Sequence, residues 1–171
     1  MMSYRLVDTS FGSFGLVARD ERLLGTFLPD RQRAILRHIG ERFPDAVETK
    51  HVLPQFCRQV CSYFHGKPVK FNVKIDLSGM PPFRQAVLRA CLRIPFGKTA
   101  SYGDLARAAG SPGAARAVGG AMAHNPLPLI IPCHRILRSD GSIGGFSSPR
   151  GVKEKQRLLR LEGIIDWEKA A

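Results

Sequence analysis

A chain of 171 residues with 26 Lys+Arg against 14 Asp+Glu, a net charge of +12, is long enough to bury a core and to form one domain or two small ones. No apolar run approaches a membrane span, and residues 1–10, with Arg5 and Asp8 among them, lack the apolar stretch of a signal peptide, which argues against membrane and secreted classes and for the cytoplasm. The charge is uneven: residues 1–80 hold 12 basic against 8 acidic side chains and residues 81–171 hold 14 against 6, so a polyanion is the partner to look for in the second half.

In chain order, Tyr4 to Thr9, Phe14 to Arg19 and Leu23 to Leu28 read as short strands, with Asp20-Glu21-Arg22 as the turn between the last two. Asp30 is a candidate N-cap for a helix with Ile35, Leu36, Ile39 and Phe43 on one face, closed by Pro44. A second helix carries Phe56, Val60 and Phe64 and stops at Gly66. Phe71, Val73, Ile75 and Leu77 then alternate with polar residues, the pattern of a half-buried strand. Residues 1–77 are therefore expected to form a small α+β domain with an antiparallel sheet. Cys57, Cys61 and His65 recur every four residues, but tetrahedral zinc needs a fourth ligand and packing explains them better. The four cysteines form no spaced disulfide framework, which suits a reducing compartment.

Ser78-Gly79-Met80-Pro81-Pro82 breaks every periodic pattern and marks a linker over residues 78–82. After it, Phe83, Val87, Cys91 and Ile94 line one side of a helix ended by Pro95 and Gly97, which places Cys91 in the core. Ser101 and Asp104 form a capping-box pattern for a helix running to Gly110. Ser111-Pro112 is expected to open a second helix that Asn125-Pro126 closes. The pair reads as a helix-turn-helix. Its second helix is built almost wholly of Ala and Gly, poor material for filling a core but suited to close approach by another surface. Arg116 is its one long cation.

Leu127 to Ile131 reads as a strand that ends at Pro132 and presents Cys133, followed directly by His134. A neighbouring imidazole and a turn rich in N–H groups are settings that lower a thiol pKa. Ile136 to Arg138 and Ile143 to Phe146 suggest a hairpin around Ser139-Asp140-Gly141-Ser142. The final helix opens near Gly151, carries Lys155 and ends at Gly163. Glu162 faces the negative end of that helix dipole, a placement that an imidazole partner would explain.

Ala115-Arg116-Ala117-Val118-Gly119-Gly120-Ala121-Met122, then Asn125-Pro126, then Pro132-Cys133-His134-Arg135 resembles the active-site signature of the O6-alkylguanine-DNA alkyltransferases, with similarity from Phe83 to Gly163. The resemblance implies an α/β (α+β) protein with a ribonuclease-H-like N-terminal domain over 1–77 and a mostly helical DNA-binding and alkyl-transfer domain over 83–171. It implies single-turnover repair, in which a methylated-DNA–protein-cysteine methyltransferase moves the alkyl group of O6-alkylguanine to Cys133, with O4-alkylthymine as a second candidate substrate. His134 would act as base through a water, Glu162 would orient the imidazole and Asn125 would brace the turn. Arg116 would fill the stack vacated by a flipped base. Tyr102 would press on the 3′ phosphate and donate to the departing guanine, a task shared with Lys155 and Ser147. Ala114, Ala115, Gly119 and Ser139 would contact double-stranded DNA in the minor groove without reading its sequence. Met122, Pro128, Phe146 and Ser147 would line the alkyl and guanine pocket. A monomer is implied, with neither cofactor nor metal.

The segment Ser148-Pro149-Arg150 departs from the vertebrate form of the family, where a shorter Gly-rich loop stands, and leaves the accepted alkyl size open. Two other classes compete. A non-catalytic helix-turn-helix lesion-binding protein would lack an acceptor cysteine, and Cys133 is present. A cysteine hydrolase using Cys133, His134 and Glu162 would leave Arg116 and the small-residue helix without a role.

Overall fold

The computed structural model describes residues 1–168, and the chain divides into two compact units, Met1–Leu77 and Ser78 onward. The first unit opens with β1 (Met2–Thr9), β2 (Gly12–Arg19) and β3 (Arg22–Asp30), an antiparallel meander. Asp20 and Glu21 form the turn between β2 and β3 with φ of 48° and 60°, the left-handed pair that matches the twist of a tight hairpin. Helix α1 (Gln32–Arg42) covers one face of the sheet and α2 (Pro54–Phe64) the other. Val17 packs with Ile35 and Ile39, whereas Phe14, on the opposite face of β2, meets the rings of Phe56 and Phe64. Being covered on both faces explains the unbroken apolar run of β2.

Several expectations are corrected. The sheet is mixed rather than antiparallel: β4 (Val47–Glu48) and β5 (Lys74–Ile75) flank the meander in the order β4-β1-β2-β3-β5, each parallel to its neighbour. Each is reached through a helix, which returns the chain to run in the same direction. The strand expected over 71–77 is only two residues long, because the Gln59 side chain takes both the Lys70 carbonyl and the Asn72 N–H. Phe71 is held by the rings of Phe56 and Tyr63 instead of a ladder. Asp30 ends β3 and accepts from the Arg31 N–H at 2.7 Å rather than capping α1, and Leu36 is exposed. Cys57 and Cys61 donate to the carbonyls of Val52 and Asp8, and among the described residues no cluster of His, Cys, Asp or Glu is placed to hold a metal.

The second unit contains α3 (Pro82–Leu92), β6 (Ala100–Ser101), α4 (Tyr102–Ala108), α5 (Ala115–Ala123), β7 (Ile136–Leu137) and α6 (Val152–Leu161). The Ser101/Asp104 capping box forms as read. Helix α5 begins at Ala115 and not at Pro112: Ser111-Pro112-Gly113 makes a turn closed by the Ala114 N–H on the Ser111 carbonyl, with Gly113 at φ 86°, the type II pattern in which Pro precedes Gly. The hairpin expected over 136–146 does not form. Its turn closes through the Arg138 N–H on the Ser142 carbonyl, but β7 pairs with β6, and Gly144 at φ 68° turns the returning segment away. Among the described residues no helix is long and apolar enough to cross a membrane.

Close approach in the first unit gives a stability test. A Cβ at Gly15 would lie 2.5 Å from Ile35 Cγ2, so Gly15→Ala should overpack the α1 face and lower the unfolding free energy in urea by about 1–3 kcal/mol. An unchanged midpoint would contradict this packing.

Candidate active site

Cys133 is presented by a turn and not by the end of a strand. Residues 127–131 are irregular because the Asn125 side chain satisfies their backbone: its Oδ1 accepts from the Leu127 N–H at 3.0 Å and its Nδ2 donates to the Ile131 carbonyl at 2.8 Å. The Ile131 N–H closes the turn on the Leu127 carbonyl, with Leu129 at φ 78°. Pro132, at φ −80° and ψ 65°, then makes an inverse γ-turn, with the Cys133 N–H on the Ile131 carbonyl at 2.8 Å. Cys133, His134 and Arg135 follow as a single 3₁₀ turn, all buried.

Behind this turn lies Glu162, the residue that caps the C-terminus of α6. Gly163, at φ 74°, lets the chain reverse: its N–H bonds the Arg160 carbonyl and the Ile164 N–H bonds that of Leu159, a Schellman motif sealed by the apolar contact of Leu159 with Ile164. The carboxylate is buried and gathers four donors. His134 Nε2 lies 2.6 Å from Oε1, Arg135 Nε and Nη2 reach Oε2 and Oε1 at 2.9 Å each, and the Gly97 N–H reaches Oε2 at 3.1 Å. Burial pushes the Glu162 carboxyl up, but the hydrogen bonds and charges of His134 and Arg135 outweigh it and hold the group well below the ordinary carboxylate range. Burial lowers the His134 pKa against the opposing pull of Glu162. The ring is therefore neutral at rest with Nε2 protonated toward the carboxylate, which makes Nδ1 its basic atom.

The thiol departs from the sequence expectation. Burial raises the Cys133 pKa, and this outweighs the hydrogen bond from Asn125, the charge of Lys155 and the N–H groups of Cys133 and His134, which all favour the thiolate. Cys133 thus rests as a thiol surrounded by groups that stabilise its anion. Lys155, fully buried, donates to the carbonyls of Ile136 at 2.5 Å and Gly145 at 3.3 Å, and burial lowers its pKa to about 8. Burial also raises the Tyr102 phenol, keeping it a donor. Cys91, wholly buried on α3 with its pKa pushed far up by burial, is core.

A pocket of about 210 Å³ is lined by Tyr102, Gly119, Met122, Ala123, Cys133, Gly145, Phe146 and Ser147. The structure therefore gathers Met122, Phe146, Ser147, Tyr102 and Gly119 around Cys133. Pro128 is not among the lining residues: it lies in the turn that Asn125 braces. Lys155 is placed behind the pocket, on the carbonyl of its loop. Arg116 and Ser139 are exposed, and Ala114 and Ala115 lie at the start of α5. Two residues carried no role in the sequence reading. Ala123 extends the pocket wall, a position the i, i+4 spacing from Gly119 could have suggested. Arg135 is a buried long cation beside a histidine, and a cation in an apolar run needs a carboxylate.

The fold and this thiol, imidazole and carboxylate arrangement define a protein with a buried cysteine on the wall of a small pocket. The family model for the 6-O-methylguanine DNA methyltransferase DNA-binding domain matches residues 82–164. The methylated-DNA–protein-cysteine methyltransferase of Mycolicibacterium paratuberculosis is 37% identical over 166 residues, 95% of this chain and 93% of the relative. The corresponding protein of Methanosarcina barkeri is 35% identical, over 94% of this chain and 97% of its own. A crystal structure of the Mycobacterium tuberculosis protein in complex with DNA superposes with a TM-score of 0.78 at 35% identity, covering 94% of this chain and 92% of that one. The chain belongs to the methylated-DNA–protein-cysteine methyltransferase family.

Removing the carboxylate would strip the buried Arg135 guanidinium of the group on which it is forked. Glu162→Ala should lower the unfolding free energy by about 3–5 kcal/mol. Because the folded carboxyl titrates below its ordinary value, its contribution is complete above about pH 4.5 and is lost as the pH falls through the folded value. Urea unfolding from about pH 6 down to about pH 3 should therefore show stability falling in the wild type and a shallower fall in the variant. Parallel curves would contradict the assignment.

Proposed function

We propose that this chain repairs O6-alkylguanine in DNA by one irreversible transfer of the alkyl group to Cys133. The observation that carries the reading is the thiol of Cys133 lining the pocket, next to a neutral imidazole whose far nitrogen is held by a carboxylate. His134 Nδ1 takes the thiol proton through a water, and the sulfur attacks the alkyl carbon. The S–C bond forms as the C–O6 bond breaks, and the electron pair leaves on guanine, whose charge a hydrogen bond from the Tyr102 hydroxyl stabilises; the proton that His134 took from the thiol returns through solvent to neutralise the departing base. The charge of Lys155, the amide of Asn125 and the N–H groups of the turn favour the thiolate once the proton has left. A thioether does not release the thiol, so each molecule acts once and no cofactor enters the balance.

Helix α5 links this chemistry to duplex DNA. It exposes Arg116 one turn before Gly119, which lines the pocket, a rise of about 4.5 Å at 1.5 Å per residue. A base extruded beside Arg116 is thereby within reach of Cys133 while the guanidinium fills the gap in the stack. A Cβ at Gly119 or Gly120 would meet nothing within 4 Å, so the helix can lie close against a minor groove, whose code is degenerate and suits a lesion found in any sequence. Ala114, Ala115 and Ser139 flank that contact, and Ser147 with the Gly145 segment faces the base. The protein works as a monomer in the compartment that holds the DNA, and its four unpaired cysteines suit a reducing one.

Cys133→Ala should abolish transfer from an oligonucleotide containing O6-methylguanine while leaving its affinity for that duplex within about twofold, and retained transfer would overturn the reading. Arg116→Ala should slow repair of duplex DNA by about 100-fold, the scale of a few kcal/mol of unstacking, yet leave reaction with a free modified guanine unchanged. Equal losses on both substrates would remove the finger role.

A further inference from the structure

Arg135 holds the Glu162 carboxyl low but takes no step in the transfer described above, and it is tightly held. It is 5% exposed. Its Nε and Nη2 form a fork on the two oxygens of Glu162, its Nη1 donates to the Ile94 carbonyl at 2.6 Å, and its guanidinium lies 6.0 Å from the centre of the Phe96 ring. Its backbone belongs to the same 3₁₀ turn as Cys133 and His134. One residue thus fixes the carboxylate and is covalently tied to the imidazole that the carboxylate orients. A bidentate fork sets the plane of a carboxylate as well as its charge, which a lysine ammonium does not.

We propose that Arg135 is a positioning residue of the transfer reaction: its fork holds Glu162 ionised and in one orientation against His134 Nε2, so the imidazole keeps the tautomer in which Nδ1 is the base. This rests on the alkyl-transfer reading above. Arg135 from the turn acts on both members of the pair and Lys155 from α6 acts on His134, while Cys91 from α3 faces Arg135 and Cys133. The segment 94–97 adds the Ile94 carbonyl, the Gly97 N–H and the Phe96 ring, none of which titrates. Arg135 is the cation bonded to the carboxylate, so its loss lets the Glu162–His134 pair take up a proton at higher pH. A proton on either member removes the base.

The test follows the rate of methyl transfer from a duplex oligonucleotide carrying one O6-methylguanine, across pH, for the wild type, Arg135→Met and Arg135→Lys, with duplex affinity measured alongside. Absence of transfer by the wild type would overturn the alkyl-transfer reading, and this proposal with it. Given wild-type transfer, Arg135→Met should be slower by about 100-fold at neutral pH, the lower end of what a general base supplies. Its acid limb should move up by about one pH unit or more, with DNA affinity unchanged. Arg135→Lys, which keeps the charge and loses the fork, should return the acid limb to its wild-type position and recover only part of the rate. A slow Arg135→Met with an unmoved acid limb would make Arg135 mere scaffolding and overturn the proposal. Where Arg135→Met does not fold, Arg135→Lys decides alone: a reduced rate supports the fork, and the full wild-type rate at every pH overturns it.

Discussion

A single buried carboxylate organises the second unit. Glu162 stands at the C-terminus of α6, where the helix dipole opposes a negative charge, and it is removed from water. Such a group persists only if donors replace its hydration. Here the donors come from two other segments, the loop that follows α3 and the Cys133–Arg135 turn. Satisfying one charge therefore docks three pieces of chain. Hydrogen bonds to a charged group, each worth about 1.5–3 kcal/mol, together outweigh a dipole penalty of at most about 2 kcal/mol. The Schellman reversal at Gly163 keeps the carboxylate from swinging into solvent.

In the proposed reaction, the same arrangement lets a buried thiol serve as the acceptor. Burial alone raises the Cys133 pKa, and that protects the resting cysteine, because the thiolate is the form that oxidises and alkylates indiscriminately. The N–H groups of the turn, the Asn125 amide and the Lys155 charge are already in place for the anion, so deprotonation requires little further rearrangement. Asn125 and Lys155 also build the site they serve. Asn125 bonds both ends of the 127–131 turn, and Lys155 joins the strand after the turn to the loop bearing Phe146 and Ser147. Electrostatic support and mechanical support reside in the same side chains.

Much of this was legible in the sequence where a residue conflicted with its local context. Glu162 at the wrong end of a helix, a cysteine and histidine after an apolar run, and a helix of Ala and Gly with one arginine each asked for an explanation beyond packing. The Ser101/Asp104 capping box and the Asp20-Glu21 turn were readable because local backbone chemistry alone decides them. What could not be read depended on distant partners. Arg135 meets its carboxylate 27 residues away, and no spacing rule connects them. Residues 127–131 and 71–77 have strand-like composition, yet the side chains of Asn125 and Gln59 take the backbone groups that a ladder would have used. The edge strand β4 is two residues long, too short for a periodic signal, and the alternation around β5 marks a strand without giving the direction of its pairing, so the mixed character of the sheet was hidden.

The most direct measurement is peptide mass spectrometry of the folded, reduced protein after incubation with a duplex containing O6-methylguanine. The account predicts one added methyl on the peptide containing Cys133, in at most one equivalent however long the incubation, with the DNA returned to guanine. Methyl on another residue, continued turnover beyond one equivalent, or bound DNA with no mass change would contradict it.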